Sequence, residues 1–421
     1  MSRTEEYCLM SYFLYCIPNL YKSPFFVRLV FKGRKGDNGR MLSRLILLNF
    51  FLQASIATID PYTQLFLRNK GYSYSLVGII YAVGQAASIV FPILFCMISD
   101  KTRKTKLMFF LMAVGTLGFV VAALNNSLFL TFVCFFVASA CLWTLNPMND
   151  GYQNRVFNGD SSKYGVARAM GTMGYVVCLV FFGISGFPDE TNNQSIALGM
   201  GIALLLFCLS AALVPQDNVH EKVQSPSKKV FSFSWFSSKF YLIMGIVFIS
   251  RIAESVVDKM LSSYLTENLN LGSHFSLLVA LGAASEFVML IVGGKLLQKG
   301  KVKPYTLITL SALALTVRLL LYRFFPTTVA CVFAAMLHSF NFGALHIGLS
   351  KYIAQNVNED HYSLAMSLYW AIATNFPEMI GTLIGGFVID AYGYPTLFAS
   401  YAILPAIAFV LFIVFRKKLR G

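Results

Sequence analysis

Asp60, Asp150, Arg168, Arg251, Glu254, Asp258, Glu286, Arg318, His338 and Glu378 all stand inside, or at the edge of, long apolar runs. An ionisable group near a bilayer midplane costs on the order of 3 kcal/mol unless it faces water or a partner. Each therefore needs a partner, a wet cavity or a task. Asp150 and Arg168 fall at the facing ends of consecutive runs joined by one loop. They can pair, closing one side of a structure, or jointly grip a ligand: a guanidinium fork and a carboxylate suit hydroxyls, and the guanidinium alone suits a carboxylate. Arg251, Glu254 and Asp258 are spaced by three and four residues, hence on one helical face, as a structural network or a transport site. His338, Asn341 and Phe342 share another face, with His346 two turns beyond His338. Asp60-Pro61 and Pro377-Glu378 set an acid beside a proline. Such a proline is tolerated where a helix lines a cavity and gives it a flex point, and the acid is a candidate proton site. Enzyme chemistry is not indicated, because the chain has no HExxH, GxSxG or His/Asp cluster. Eight cysteines without a CxxC pair suggest neither a metal site nor a disulfide framework, and no cofactor is expected.

The elements that carry these residues follow from composition. With 57% hydrophobic and only 13% charged residues in 421, and a mean hydropathy of +0.64, the chain is no soluble enzyme. The net charge of +15 sits in short clusters between apolar runs, which marks cytoplasmic loops and not a nucleic-acid surface. Apolar runs fall at 43–67, 74–98, 105–123, 127–150, 164–186, 195–214, 240–265, 274–298, 303–323, 327–350, 362–388 and 395–415, predicting an all-α membrane protein of twelve helices. Loops holding Lys101, Arg103, Lys104 and Lys106, then Lys222, Lys228, Lys229 and Lys239, then Lys299, Lys301 and Lys303 are basic, as is the tail from Arg416 to Arg420. Those at 124–127, 187–194, 266–273 and 389–394 hold no Lys or Arg, so both termini are expected in the cytoplasm.

The polar segment 215–239 reads as a flexible cytoplasmic linker between two six-helix bundles, 41–214 and 240–421, the latter with the basic tail. The loop after the second helix of each half repeats a pattern, Ser99, Asp100, Lys101, Arg103 and Lys104 against Gly293, Gly294, Lys295, Lys299 and Lys301. Two similar halves suggest a transporter with a central site. Residues 1–40 read as an interfacial or disordered cytoplasmic extension. The run 7–17 is too short to span, Glu5 and Glu6 rule out a signal-peptide layout, and purine-rich coding of Lys32 to Arg40 would fit a native start at Met41.

The loop FCMISDKTRKTK (95–106) resembles a degraded form of the signature of the major facilitator superfamily, keeping Asp100, Arg103 and Lys104. SKYGVARAMGTMGY (162–175), SEF (285–287), TVRLL (316–320) and LHSFNFGALHIGLSKYI (337–353) are similar, in matching order, to the branch of the lactose, phenylpropionate and nucleoside permeases. The resemblance covers about 41–416 and implies two pseudo-symmetric six-helix bundles that rock around a midplane site. It implies substrate binding by Asp150, Arg168 and Tyr175, and proton coupling by Glu286, Arg318 and His338. Asp258 resembles the seventh-helix acid of the same branch. It departs from the pattern at Ala335, in place of a lysine, and at Asn341, in place of the proton-carrying glutamate. His346 matches the phenylpropionate-type pattern better than the lactose type.

From the residues themselves, Trp370 is the tryptophan best placed for ligand stacking, and Asp100, Arg103 and Lys104 are expected to form a gate latch between helices. With Asn341 unable to carry a proton, the role passes to Glu286 or to Asp60. Asp60 is preferred because span 1 holds no basic residue between Arg44 and Arg68, whereas Glu286 is expected beside Arg318. The chain thus reads as a monomeric secondary transporter of the cell membrane, with lipid, proton and a small organic solute (sugar, nucleoside or aromatic acid) as partners. An efflux pump of the same fold, or a non-transporting receptor, are the alternatives.

Overall fold

The structure, a computed structural model, describes residues 37–157, 161–216, 236–357 and 362–419. The extension up to residue 36, including the first part of the Lys32 to Arg40 segment, and residues 217–235 of the linker lie outside them. The first half comprises α1 (Asp37–Asn69), α2 (Tyr74–Thr102), α3 (Thr105–Thr116 and Gly118–Leu124), α4 (Leu128–Val156), α5 (Ser161–Ser185) and α6 (Asn193–Leu213). The second comprises α7 (Ser238–Lys259, then Leu261–Ser263), α8 (Phe275–Gln298), α9 (Pro304–Phe324) and α10 (Thr328–Met336, a wide turn at Ser339–Ala344, then Leu345–Asn356). It ends with α11 (362–392) and α12 (394–414).

Eleven helical segments among the described residues are long and apolar enough to cross a membrane. The last of them, Phe376–Val414, has 39 residues and would be roughly 58 Å long, about twice a bilayer core. Gly393, at φ 76° and ψ 172°, breaks it into the end of α11 and all of α12. The loop expected at 389–394 is thus a corner: a left-handed φ that glycine alone adopts cheaply, followed by Pro395. The other starts obey local chemistry. The side chains of Ser73, Ser127, Asn192, Ser237 and Thr327 accept from the backbone N–H two or three residues on, and Pro304 opens α9 where no donor is needed.

Packing repeats between the halves. α1 lies against α5 as α7 lies against α11, α2 against α4 as α8 against α10, and α3 against α4 and α6 as α9 against α10 and α12. The halves meet through two matching pairs, α2 with α11 and α5 with α8. This is the expected fold: two pseudo-symmetric six-helix bundles. At the α2–α11 seam the backbones touch, since a Cβ on Gly386 would collide with the Tyr74 carbonyl and one on Gly78 with that of Thr382. Apolar side chains that would be odd on a soluble protein, such as Val114, Phe129 and Ile184, point outward where lipid would cover them.

Candidate functional site

Between the halves lies a cavity of about 360 Å³, lined from the first half by Gln53, Asp60, Trp143, Arg168 and Tyr175. The second half contributes Lys259, Glu286, His338, Phe342, Trp370 and Glu378 to the same walls. Every substrate-binding or proton-coupling residue expected from the sequence lines it, except Asp150.

Two charge networks form its floor and one wall. In the first, Lys259 at the end of α7 reaches Asp60 of α1 at 2.6 Å and Glu378 of α11 at 3.5 Å, tying three helices from both halves. Glu378 also accepts from Gln85 of α2 at 2.5 Å, and the Lys259 ammonium lies 5.1 Å from the Trp143 ring. The Lys259 and Glu378 side chains are 3% and 10% exposed, so these charges are held by one another and not by solvent. The ground for preferring Asp60, a span free of cations, does not survive: its cation comes from α7, 199 positions away. Lys259 escaped sequence reasoning although it ends the face carrying Arg251, Glu254 and Asp258. An intramembrane lysine next to an acid was the available signal.

The second network centres on Glu254, whose side chain is 1% exposed. Its carboxylate accepts from Asn341 at 2.5 Å, and lies 3.5 Å from Arg318, 3.6 Å from Arg251 and 3.7 Å from His338. Arg251 is also 3.7 Å from Asp258. Glu286 faces His338 at 3.6 Å, while Arg318 contacts His338 Nδ1 at 3.2 Å. The sequence placed Arg318 beside Glu286; the structure gives it Glu254 instead and leaves Glu286 to the histidine. Asn341, which cannot carry a proton, has a clear place here as the amide that satisfies a buried carboxylate. Glu254, Asp258 and His338 are close enough to share a metal ion, but Arg251 and Arg318 occupy the same carboxylates, so the donor set does not suit a cation.

Arg168 and Asp150 stand 3.9 Å apart with side chains 41% and 36% exposed, so this pair is loose and wet. Arg168 projects into the cavity, and Asp150 backs it from outside the lining. An aromatic wall faces them. Phe342 stacks between His338 and His346 at 5.7 and 6.2 Å, and His346, whose Nδ1 is 2.9 Å from the Tyr369 hydroxyl, packs on Trp370 at 5.7 Å. The expected gate residues are near the basic loops: Asp100 pairs with Arg155 of α4 at 2.7 Å, and Arg103, at φ 55°, caps α2. That ion pair joins two helices of one half, since the partner is Arg155, not Arg103 or Lys104.

Away from those loops, bonds between the halves cluster at the opposite face. Arg68 pairs with Glu267 at 3.1 Å and lies over the Tyr74 ring, whose hydroxyl donates to Glu267 at 2.8 Å. Asp390 of α11 accepts from the backbone N–H groups of Tyr74 and Ser75 at 3.0 and 2.7 Å, capping α2. Gln64 accepts from the Ser263 backbone at 3.0 Å.

Residues 42–400 match the sequence model of the MFS_1 like family. Among individual proteins, the chain is similar to "Uncharacterized transporter YwbF" of Bacillus subtilis (strain 168), at 24% identity over 84% of this chain and 88% of the relative. It is similar to "Nucleoside permease NupG" of Escherichia coli (strain K12), at 22% identity over 88% and 94%. A crystal structure of a mutant of the nucleoside transporter NupG superposes with a TM-score of 0.79, at 17% identity over 89% of this chain and 99% of that one. A POT family transporter in complex with 5-aminolevulinic acid gives 0.70 at 12% identity, over 92% and 99%.

Proposed function

The chain belongs to the MFS_1 like family and is a secondary transporter, not an enzyme; on that premise we propose that it carries a nucleoside into the cell together with a proton. The cavity carries this reading, because its two kinds of wall match the two parts of such a solute. The rings of Phe342 and Trp370, which line the cavity and both pack on His346, suit a planar base. Arg168, backed by Asp150, and Gln53 with Tyr175 suit a polyhydroxylated ring, and the relatives named as nucleoside permease and nucleoside transporter support the class.

Proton coupling in this proposal falls to the two networks, with Glu286, His338 and Arg318 in one and Asp60 in the other. Basic loops on one face support a cytoplasmic orientation for that face and for both termini. With the cross-half bonds gathered at the opposite face, the conformation is then one closed to the outside. Asp100 paired with Arg155, and Arg103 capping α2, would stiffen the cytoplasmic ends of the first bundle as it rocks. A single chain holds a complete cavity, which supports a monomer as the working unit.

Calorimetric titration of the purified protein with uridine tests the substrate class. Binding is expected, and Arg168→Lys should weaken it about tenfold or more, the loss of one charge-assisted hydrogen bond. Binding of a galactoside or an aromatic acid in place of uridine would overturn the nucleoside assignment. Wild-type affinity in Arg168→Lys would remove Arg168 from the site.

A further inference from the structure

The charges around the cavity do not balance. Among the described residues, Arg168, Arg251, Lys259 and Arg318 supply four cations, whereas Asp60, Asp150, Glu254, Asp258, Glu286 and Glu378 supply six carboxylates. Asp150 is taken by Arg168, Asp258 and Glu254 by Arg251 and Arg318, and Asp60 by Lys259 at 2.6 Å. Two carboxyls are left over. Glu286 has the His338 ring at 3.6 Å and is partly open to the cavity. Glu378 lines the same cavity with its side chain only 10% exposed: it is 3.5 Å from an ammonium already bonded to Asp60, and it accepts from the neutral amide of Gln85. A second buried carboxylate on one ammonium would be an uncompensated charge in the membrane interior.

We propose that Glu378 is a proton-binding site of the transporter, protonated while Lys259 bridges α7 to Asp60 and ionised when the halves separate and Lys259 transfers to it. The inference rests on the proton-symport reading above and names a residue that the sequence resemblance does not.

The surroundings support an exchange of partners. Around Glu378, α1 presents Asp60, α2 presents Gln85 and the Tyr81 hydroxyl, and α7 presents Lys259, with Asp258 and Arg251 further along the same helix. Among the described residues, the buried Tyr81 hydroxyl has no hydrogen-bond partner. It lines a pocket of about 20 Å³ shared with Asp60, Gln85 and Lys259, room for one water. Both moving groups sit at helix irregularities. α7 is interrupted at Met260, directly after Lys259, and α11 has a wide turn at Ala371–Asn375 just before Pro377 and Glu378. Such turns reshape more easily than regular helix, and they cluster at functional sites. Asp60 lies on the half that rocks away from Lys259 and Glu378, both of which belong to the other, so opening stretches the first contact and spares the second. The proton then leaves Glu378 into the cavity as the ammonium arrives; Asp60, freed on the face that opens, takes one up from outside and passes it to Glu378 when Lys259 returns, so one ammonium faces one carboxylate at each stage and the proton moves inward with the solute.

Infrared difference spectroscopy of substrate-free protein in lipid vesicles, titrated with acid and base, reads the carboxylic C=O band directly. In a Glu286→Gln background, a band is expected that shifts with Glu378→Asp, disappears with Glu378→Gln and stays in place with Asp60→Glu. Labelling the same background with carboxyl-13C glutamate should move the band and labelling with carboxyl-13C aspartate should not, which keeps the test open where a substituted protein fails to fold. A band that follows Asp60→Glu or the aspartate label, or no band at all, overturns the assignment. Uridine transport in proteoliposomes supplies the second arm: Glu378→Gln should keep counterflow exchange and lose accumulation driven by a pH gradient. Gradient-driven accumulation by wild type and Glu378→Gln alike removes Glu378 and leaves symport standing. A Glu378-dependent band with wild-type transport indifferent to the gradient keeps the proton site and removes symport.

Discussion

At Glu254 one carboxylate lies within 3.7 Å of two guanidiniums, an amide and an imidazole drawn from α7, α9 and α10, and its side chain is 1% exposed. Breaking a buried network from one side leaves the other charges uncompensated, at about 3–5 kcal/mol. Glu254→Ala is therefore expected to lower the thermal unfolding midpoint in detergent by many degrees. Asp150→Ala removes a carboxylate that is 36% exposed and 3.9 Å from its partner, a change on the order of 1 kcal/mol or less. Equal shifts for the two variants would mean that the Glu254 cluster is wetter than its geometry indicates. The contrast also separates roles: Asp150 and Arg168 can afford to open toward a ligand, whereas Glu254 positions His338, Arg318 and Asn341.

The irregular turns of the second bundle explain what the helices can and cannot do. Wide turns at Tyr264–Asn268, Ser339–Ala344 and Ala371–Asn375 fall next to Lys259, His338 and Glu378, respectively. No hydropathy pattern marks such turns, because inserting one residue into a turn leaves an apolar run apolar. That is why twelve spans and their order were legible in the sequence while these turns were not. Partners were harder to read than residues for a related reason. Spacing by three and four put Arg251, Glu254 and Asp258 on one face, but which cation meets Asp60 depends on how the halves cross, and that is a property of the α2–α11 and α5–α8 seams. At the first seam Gly78 and Gly386 allow backbone contact with Thr382 and Tyr74. Gly386→Leu is expected to hold the halves apart at the face away from the basic loops. Spin labels at Asn126→Cys and Phe325→Cys should then report a longer mean distance by double electron–electron resonance. An unchanged distribution would show that the seam does not control closure.

For the molecule as a whole, the two bundles are joined at one face by Arg68 with Glu267, by Asp390 capping α2 and, deeper, by Lys259 with Asp60. Each of these bonds crosses between the halves, so alternating access has to break them, and only differential binding of the transported ligands can supply the bias. The central claim is that the pH gradient does so in the direction of uptake. Purified protein in proteoliposomes, given tritiated uridine outside and an acidic exterior, is predicted to accumulate the solute above its external concentration, and a protonophore should abolish the excess. Uridine that only equilibrates, equally with and without the gradient, or that is driven outward by it, would contradict the account.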